Sequence, residues 1–487
     1  MTTASSDEFT VLFIGDSVTD ASRGSDPAGL GDGYVRRISE ELANIAPTVR
    51  VVNRGVGGDR SRDVLARLTT DCLEEAPDLV SVLVGVNDVW RRFDRDDPTS
   101  VERFTADCRE ILTQIRDQTD ARIVVCEPFV IPIDYAQRGF RDDLEPKIAA
   151  LHNLATEFGA RVVNLDSLLH RHAGVVGAAA VARDGVHPTA YGHSVIADVW
   201  LRAVACDLPL VEASWTLSRF GDEINDDPRV QVAVLTALGA SAIEVRSAWG
   251  TNVIDLTAAQ LGELAREISD GGLTVSAIAS PIGKVAVEHR DQERARLAVA
   301  IAAAKRLGTD SIRIFSFYPT DPERPDLDHR EVVEGLRALA KMAEHAGIVL
   351  LHENEKCTYG DVPERILRLV AEVDSPAFQL AWDSANYVQV GIVPDGAMIE
   401  LVSPWLRYLQ VKDASLHDGA VRPAGEGDGG LHLVARMLLK RGYRGVASLE
   451  PHLSSAFETG GFSGPAAFGL AASALRRVVD QQCVELR

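Results

Sequence analysis

Cysteine is scarce and scattered. Six thiols in 487 residues, Cys72, Cys108, Cys126, Cys206, Cys357 and Cys483, form no Cys-x-x-Cys pair. That excludes a disulfide framework and a thiolate zinc site, and the expectation is reduced, mostly buried thiols. Long apolar runs are missing too. The longest uncharged stretch of small apolar residues, Ala173 to Ala182, is about half a membrane span. The opening Met1-Thr-Thr-Ala-Ser-Ser-Asp-Glu lacks the basic start and apolar core of a signal peptide, so a cytoplasmic chain is expected. Positive charge is in deficit: 50 Lys and Arg against 71 Asp and Glu give a net charge of −21. Such a balance repels nucleic acid and anionic membranes, leaving small molecules as the expected partners, and it is compatible with a homo-oligomer.

What is present is ordinary globular material. A 46% hydrophobic and 25% charged composition excludes a disordered chain, and at about 150 residues per domain the length allows two large units or three smaller ones. Strand-like runs at Val11–Gly15, Val51–Asn53, Leu79–Gly85, Ile123–Glu127 and Val162–Leu165 alternate with helical patterns such as Val35–Ala46, Val101–Gln118 and Lys147–Phe158. This predicts a doubly wound parallel sheet over residues 1–210. The alternation then restarts. Eight strand-like runs follow, at Leu217–Asp222, Ala242–Arg246, Val275–Ser280, Ser311–Phe317, Val349–Glu353, Phe378–Asp383, Tyr408–Asp413 and Val446–Glu450. Eight units in the remaining residues, 211–487, predict a (β/α)8 TIM barrel.

The first half carries four ordered motifs. Gly15-Asp16-Ser17 follows the first strand, which exposes the Ser17 hydroxyl at the ligand-binding end of an open sheet. Asn53-Arg-Gly-Val-Gly-Gly58-Asp follows the second strand and offers the Gly58 backbone N–H. Gly85-Val-Asn87-Asp88 follows the third, and Asp184-Gly-Val-His187-Pro lies downstream. Together they predict acyl transfer: Ser17 as nucleophile, His187 as proton carrier and Asp184 as its anchor. The N–H groups of Ser17 and Gly58, with the Asn87 amide, form the expected oxyanion hole. These four blocks resemble the SGNH, or GDSL-type, hydrolase family over about residues 8–205, including Gly33-Tyr34-Val35 and Asn87-Asp88-Val89-Trp90 of its carbohydrate-esterase-like branch. The resemblance implies a flavodoxin-like three-layer fold and a cofactor-free serine esterase. Gly57 departs from it, standing where the family often has serine.

In the second half the strand ends are polar. Glu353, Asp383, Gln410 and Glu450 recur at about one βα unit each, so they should meet at one mouth of the barrel. Three carboxylates together need a cation, and oxygen-rich ligation suits Mn²⁺, Mg²⁺ or Co²⁺ ahead of Zn²⁺. Arg246 and Lys284 are candidates for holding a substrate phosphate or carboxylate, with an Arg246–Glu244 ion pair the alternative; Lys412 either binds substrate or pairs with Asp413. His352 and His452 are expected in core or supporting positions, Cys357 in packing, and Gly425-Glu-Gly-Asp-Gly-Gly as a mobile loop over the mouth. The runs Gly221-Asp-Glu-Ile, His352-Glu-Asn-Glu-Lys, Val411-Lys-Asp-Ala, Gly425-Glu-Gly-Asp-Gly and Ser448-Leu-Glu-Pro-His resemble the sugar phosphate isomerase/epimerase family of xylose isomerase-like barrels. The resemblance implies that Glu353, Asp383 and Glu450 bind one divalent metal and that the two glutamates exchange protons with a sugar or polyol. Gln410 stands where the family has a histidine. The expected whole is a bifunctional carbohydrate-active enzyme, an esterase joined to an isomerase or epimerase working through an enediolate. Two alternatives stay open for the barrel: a lyase or dehydratase on a keto-sugar or cyclitol, and a non-catalytic sugar-binding or dimerisation module.

Overall fold

The computed structural model describes residues 8–210, 214–440, 442–453, 464–480 and 485–486. The chain divides into two compact units, Met1–Glu212 and Ala213–Arg487. No described helix is long and apolar enough to cross a membrane.

In the first unit five parallel strands, Phe9–Gly15, Val49–Gly55, Leu79–Leu83, Arg122–Cys126 and Arg161–Val163, lie in the order 2-1-3-4-5. Alternation along each strand fills both faces. Leu12, Ile14, Val80 and Val82 pack with Ile111, Leu112, Ile115, Leu151 and Leu154 of the helices Val101–Gln118 and Phe140–Phe158. On the other face Phe13 meets Tyr34 and Trp200, of the helices Tyr34–Ile45 and Ala190–Val204. Ser100 caps the helix Val101–Gln118 by accepting from the Arg103 N–H. That helix buries Phe104, Cys108, Ile111, Leu112 and Ile115, the spacing of a single apolar stripe. Trimming one of these isoleucines to alanine would cost about 2–5 kcal/mol. The helix expected from Lys147 starts at Phe140 instead and runs through Pro146. The proline removes one N–H, but it lies in the second turn, and Lys147 beyond it is fully buried on Asp143 at 2.9 Å.

The second unit is a nearly closed barrel of eight parallel strands: Ser214–Arg219, Ala242–Val245, Thr274–Ala279, Ser311–Ile314, Val349–Glu353, Phe378–Asp383, Leu406–Val411 and Val446–Leu449. The eighth strand pairs with the first, and a bridge between Phe220 and Glu244 joins the first to the second. Its interior is layered. Ala277, Leu351, Ala381 and Tyr408 share one apolar cluster, and hydroxyls of Ser218, Ser276 and Tyr408 form a hydrogen-bonded chain. Several strands end earlier than the sequence suggested. The first stops at Arg219, so Asp222 and Glu223 lie in a 3-10 turn, Gly221–Glu223. The seventh stops at Val411, before Lys412 and Asp413. The fourth stops at Ile314, and Phe317 takes a left-handed conformation, φ +67°. After the first and fourth strands apolar character continues into the loop, at Phe220 and at Phe315 and Phe317, while the ladder ends.

Candidate active sites

The first strand is flanked by the second and third, and the chain leaves the sheet in opposite directions on its two sides. Such a switch point opens a crevice at the carboxyl ends of the strands. Asp16 caps the short helix Ser17–Asp20 through a 3.0 Å bond from the Val18 N–H, which sets Ser17 at the helix start. Only glycine fits at residue 15: a Cβ there would lie 2.2 Å from the Leu83 carbonyl oxygen. Ser17 Oγ lies 3.0 Å from His187 Nε2, and His187 Nδ1 lies 2.6 Å from Asp184 Oδ2. Asp184 Oδ1 accepts from the backbone N–H groups of Val186 and His187. Burial alone would raise the Asp184 carboxyl, but its bonds to His187 and Val186 hold it below its ordinary value. The ring of Trp90 sits 5.8 Å from that of His187.

The three expected oxyanion donors come from three segments: the start of the helix Ser17–Asp20, the loop after the second strand and the helix Val86–Asp94. Gly58 adopts φ +88°, a conformation that favours glycine. A Cβ on Gly57 would lie 3.9 Å from Ser17 Cβ, so this loop passes directly beside the nucleophile. Asn87 donates from Nδ2 to the Asp59 carbonyl at 3.1 Å. Two supporting arginines were not singled out in the sequence. Arg91 donates to Asn87 Oδ1 at 3.1 Å, which fixes the amide with its nitrogen toward the loop. Arg67 ties together the carbonyls of Gly15 and Arg54 and the carboxylates of Asp59 and Asp71. Arg91 could have been found from its helical i+4 spacing to Asn87; Arg67 has no local signal. Behind the nucleophile, burial pushes the Asp16 carboxyl up to about 7.

In the barrel, carboxylate oxygens of Glu353, Asp383 and Glu450 all lie within 4.8 Å of one another. Asn386 donates its backbone N–H to Asp383 and its side-chain amide to Glu353. Asn354 and Asp383 clamp their strands together by reciprocal 2.8 Å bonds. Gln410 is fully buried, its Nε2 donating to both oxygens of Glu244 at 3.0 and 3.1 Å. Tyr408 donates to Glu244 as well.

The three cationic candidates are already engaged. Lys412 does not pair with Asp413; its Nζ lies 2.9 Å from Asp383 and 3.2 Å from Glu450. Residues 408, 410 and 412 alternate onto one face, so Lys412 follows Gln410 into the barrel. Arg246 pairs with Asp222, Glu223 and Glu450 and not with Glu244, whose carboxylate is turned to Gln410. Lys284 pairs with Glu355 at 2.6 Å over the Phe315 ring. A fourth cation, Arg313, was missed although an arginine within Ser-Ile-Arg-Ile is a signal. It is buried 3.1 Å from Glu353, between the rings of Phe220 and Phe315. His352 is a core residue, buried against Phe378 with its charge suppressed by burial to a pKa of about 3. His452 is not: two residues beyond Glu450, it shares that residue's face and contacts Glu450 and Glu223. Cys357 is exposed, so the expectation of packing fails there; Cys206 is exposed too, Cys72, Cys108 and Cys126 are buried, and Cys483 lies outside the described residues.

Burial, together with the like charges of Glu450 and Asp383, drives Glu353 up to about 8 despite Arg313. Burial would raise Glu450 as well, yet Lys412, His452 and Arg246 hold it well below the usual carboxylate range. The Gly-rich segment is no free flap. The Asp413 carboxylate accepts backbone N–H groups from Ala414, Gly425, Gly427 and Gly429, which tie the loop to the seventh strand's end.

Two observations bear on a metal. Gln410 Oε1 is a buried acceptor atom with no hydrogen-bond donor, whereas Glu353 Oε2 and Asp383 Oδ2 meet the Arg313 and Lys412 cations. Six carboxylates (Asp222, Glu223, Glu353, Glu355, Asp383, Glu450) meet four Lys and Arg cations and His452 in this ion-pair network, and Glu244 adjoins it through the Gln410 amide. The acidic cluster could hold a divalent ion, which the orphaned Gln410 oxygen and the charge deficit both fit.

Comparison with known proteins gives two family matches. Residues 13–195 match the GDSL-like lipase/acylhydrolase family, and residues 232–477 match the xylose isomerase-like TIM barrel family. The acetylxylan esterase of Geobacillus stearothermophilus is 31% identical over 206 residues, 40% of this chain and 93% of that protein. The 2-epi-5-epi-valiolone 7-phosphate 2-epimerase of an Actinoplanes strain is 38% identical over 96 residues, 20% of this chain; the match spans only 34% of that protein's length. The crystal structure of the Geobacillus esterase covers 42% of this chain and 96% of its own, at 30% identity and a TM-score of 0.38.

Proposed function

Because the chain belongs both to the GDSL-like lipase/acylhydrolase family and to the xylose isomerase-like TIM barrels, we propose that it deacylates a carbohydrate or polyol and then rearranges it. The observation that carries the first step is the Ser17–His187–Asp184 relay, with links of 3.0 and 2.6 Å. Ser17 Oγ attacks the acyl carbon while His187 takes its proton, and Asp184 stabilises the imidazolium. The N–H groups of Ser17 and Gly58 and the Asn87 amide receive the oxyanion, each donor worth about 3 kcal/mol. His187 returns the proton to the departing sugar oxygen, and a water repeats the sequence to free the acid. An acylated sugar is the substrate class we favour, since the closely matching Geobacillus protein is by name an acetylxylan esterase.

For the barrel we propose a divalent-metal-dependent isomerase or epimerase, with Glu353, Asp383, Gln410 and Glu450 holding the ion. Bound there, the metal would polarise neighbouring carbonyl and hydroxyl oxygens of the substrate. Glu353 and Glu450 move the carbon-bound proton, one removing and the other returning it. Asn386 orients Glu353 and Asp383, while Lys412 and Arg246 hold Glu450 in place.

The test uses the full-length protein with acetylated xylo-oligosaccharides and, separately, a panel of keto-sugars and cyclitols in deuterated water. Ser17→Ala should lose ester hydrolysis by at least about a thousandfold while carbon-bound deuterium incorporation continues. Glu450→Gln should do the reverse. Ester hydrolysis surviving in Ser17→Ala would end the esterase assignment, and deuterium incorporation unaffected by Glu450→Gln would end that of the barrel.

A further inference from the structure

Gln410 poses a chemical problem that the surrounding barrel answers. A glutamine amide has an acceptor oxygen and a donor NH2 group on the same carbon, and only the oxygen can ligate a cation. A free amide would present the wrong end as readily as the right one. Here the choice is made by Glu244, a fully buried residue of the second strand. Its two carboxylate oxygens stand 3.0 and 3.1 Å from Gln410 Nε2, and a carboxylate can only accept. Turning the amide over would set its oxygen against those two oxygens. The same carboxylate is held by the Tyr408 hydroxyl at 3.0 Å, and Arg313 lies in its electrostatic neighbourhood. Gln410 Oε1 is left buried and without a donor, on the side of the amide away from Glu244.

We propose that Glu244 is the positioning residue that makes Gln410 an oxygen donor, so that the barrel holds an all-oxygen metal site selective for Mn²⁺ or Mg²⁺ over Zn²⁺. This rests on the metal reading above and extends it. A histidine at 410 would use the same partner differently: one ring nitrogen donating to Glu244, the other free to bind metal, the arrangement in which a carboxylate fixes a metal-ligating imidazole. Glutamine keeps the carboxylate contact and exchanges a nitrogen ligand for a hard, neutral oxygen. Three carboxylates and an amide oxygen match the preferences of Mn²⁺ and Mg²⁺, whereas Zn²⁺ gains most from nitrogen and sulfur ligands.

The experiment titrates full-length wild type, Glu244→Gln and Gln410→His with MnCl2 followed by electron paramagnetic resonance, and with ZnCl2 in competition. Thermal melting of each metal-free protein serves as the check on folding. Wild type should bind about one Mn²⁺ per chain. Glu244→Gln, which can present either end of its own amide to Gln410, should bind Mn²⁺ 10- to 100-fold more weakly, the usual effect of losing a partner that orients a ligand. Gln410→His should move the Zn²⁺/Mn²⁺ preference at least tenfold toward Zn²⁺, a readout that general loosening of the barrel would not produce. Wild-type binding with an unchanged affinity in a folded Glu244→Gln overturns the role of Glu244 alone. An unchanged metal preference in Gln410→His overturns the selectivity, and serves as the deciding result if Glu244→Gln does not fold. Failure of wild type to bind Mn²⁺ overturns the metal reading and this inference with it.

Discussion

The two sites solve opposite electrostatic problems. At the hydrolase site the reacting groups are half exposed, His187 at 49% and Asp184 at 47%, and three side chains in sequence-local motifs form a single relay. At the barrel site Glu353, Asp383, Gln410 and Glu450 are almost wholly buried, and each is placed by groups from other strands. Water screens the first site. In the second, charge must be balanced residue by residue, so arginine, lysine and amide groups are interleaved with the acids. A relay tolerates changes around it; a buried charge network does not.

The largest test of that contrast is Lys412→Met. Removing the ammonium leaves Asp383 and Glu450 facing one another without it, and the barrel should lose about 3–5 kcal/mol in chelator-treated denaturant melts. Added Mn²⁺ should restore part of the loss, because the ion and the ammonium serve the same two carboxylates. An unchanged melting curve would mean that the network is looser than its distances imply.

The hydrolase unit has one buried acid of its own, which sharpens the comparison through pH. Asp16 is raised from 3.8 to about 7, so the native state keeps a proton that the unfolded chain has released across that window. Stability of this unit should therefore fall as pH rises from about 4 to 7, by about 3 kcal/mol if no other group compensates. Asp16→Asn keeps an acceptor for the Val18 N–H and should flatten that slope; equal slopes in the two proteins would show that Asp16 does not titrate as its burial demands. Smaller still, Arg91→Ala should lower kcat for ester hydrolysis about tenfold, near 1.4 kcal/mol, with KM unchanged, by freeing the Asn87 amide to turn. Arg91→Lys should recover part of it. A change in KM alone would place Arg91 in substrate binding. The smallest effect belongs to Gly57→Ser: its Cβ would meet only ordinary contacts at 3.5 and 3.9 Å, so kcat/KM should stay within about twofold. A large loss there would show that the space beside Ser17 is used by substrate.

The difference between the sites also explains what could be read from the chain. Ser17, Gly58 and Asn87 each follow a strand within a short motif, and Asp184-Gly-Val-His187 is one local motif downstream, so the relay of Ser17, His187 and Asp184 was legible. The carboxylates Glu353, Asp383 and Glu450 were legible from βα spacing. The pairing of the cations was not, because partners separated by 38 residues, as Lys412 and Glu450 are, or by 204, as Arg246 and Glu450 are, are decided by the closure of the barrel. Part of the answer was available and was overlooked: alternation places Lys412 with Gln410 and His452 with Glu450, on the inner face. Asp413, one residue out of phase with Lys412, went to the glycine loop.

That loop has a consequence for ligand traffic. Converging backbone amides of the kind that surround Asp413 are how many proteins grip phosphate. Here the guest is part of the host chain, so its effective concentration never falls and a dissolved anion cannot outcompete it. The seventh strand's loop is thus a plugged socket on the rim of the barrel, and any phosphorylated substrate must find its anchor among the other loops.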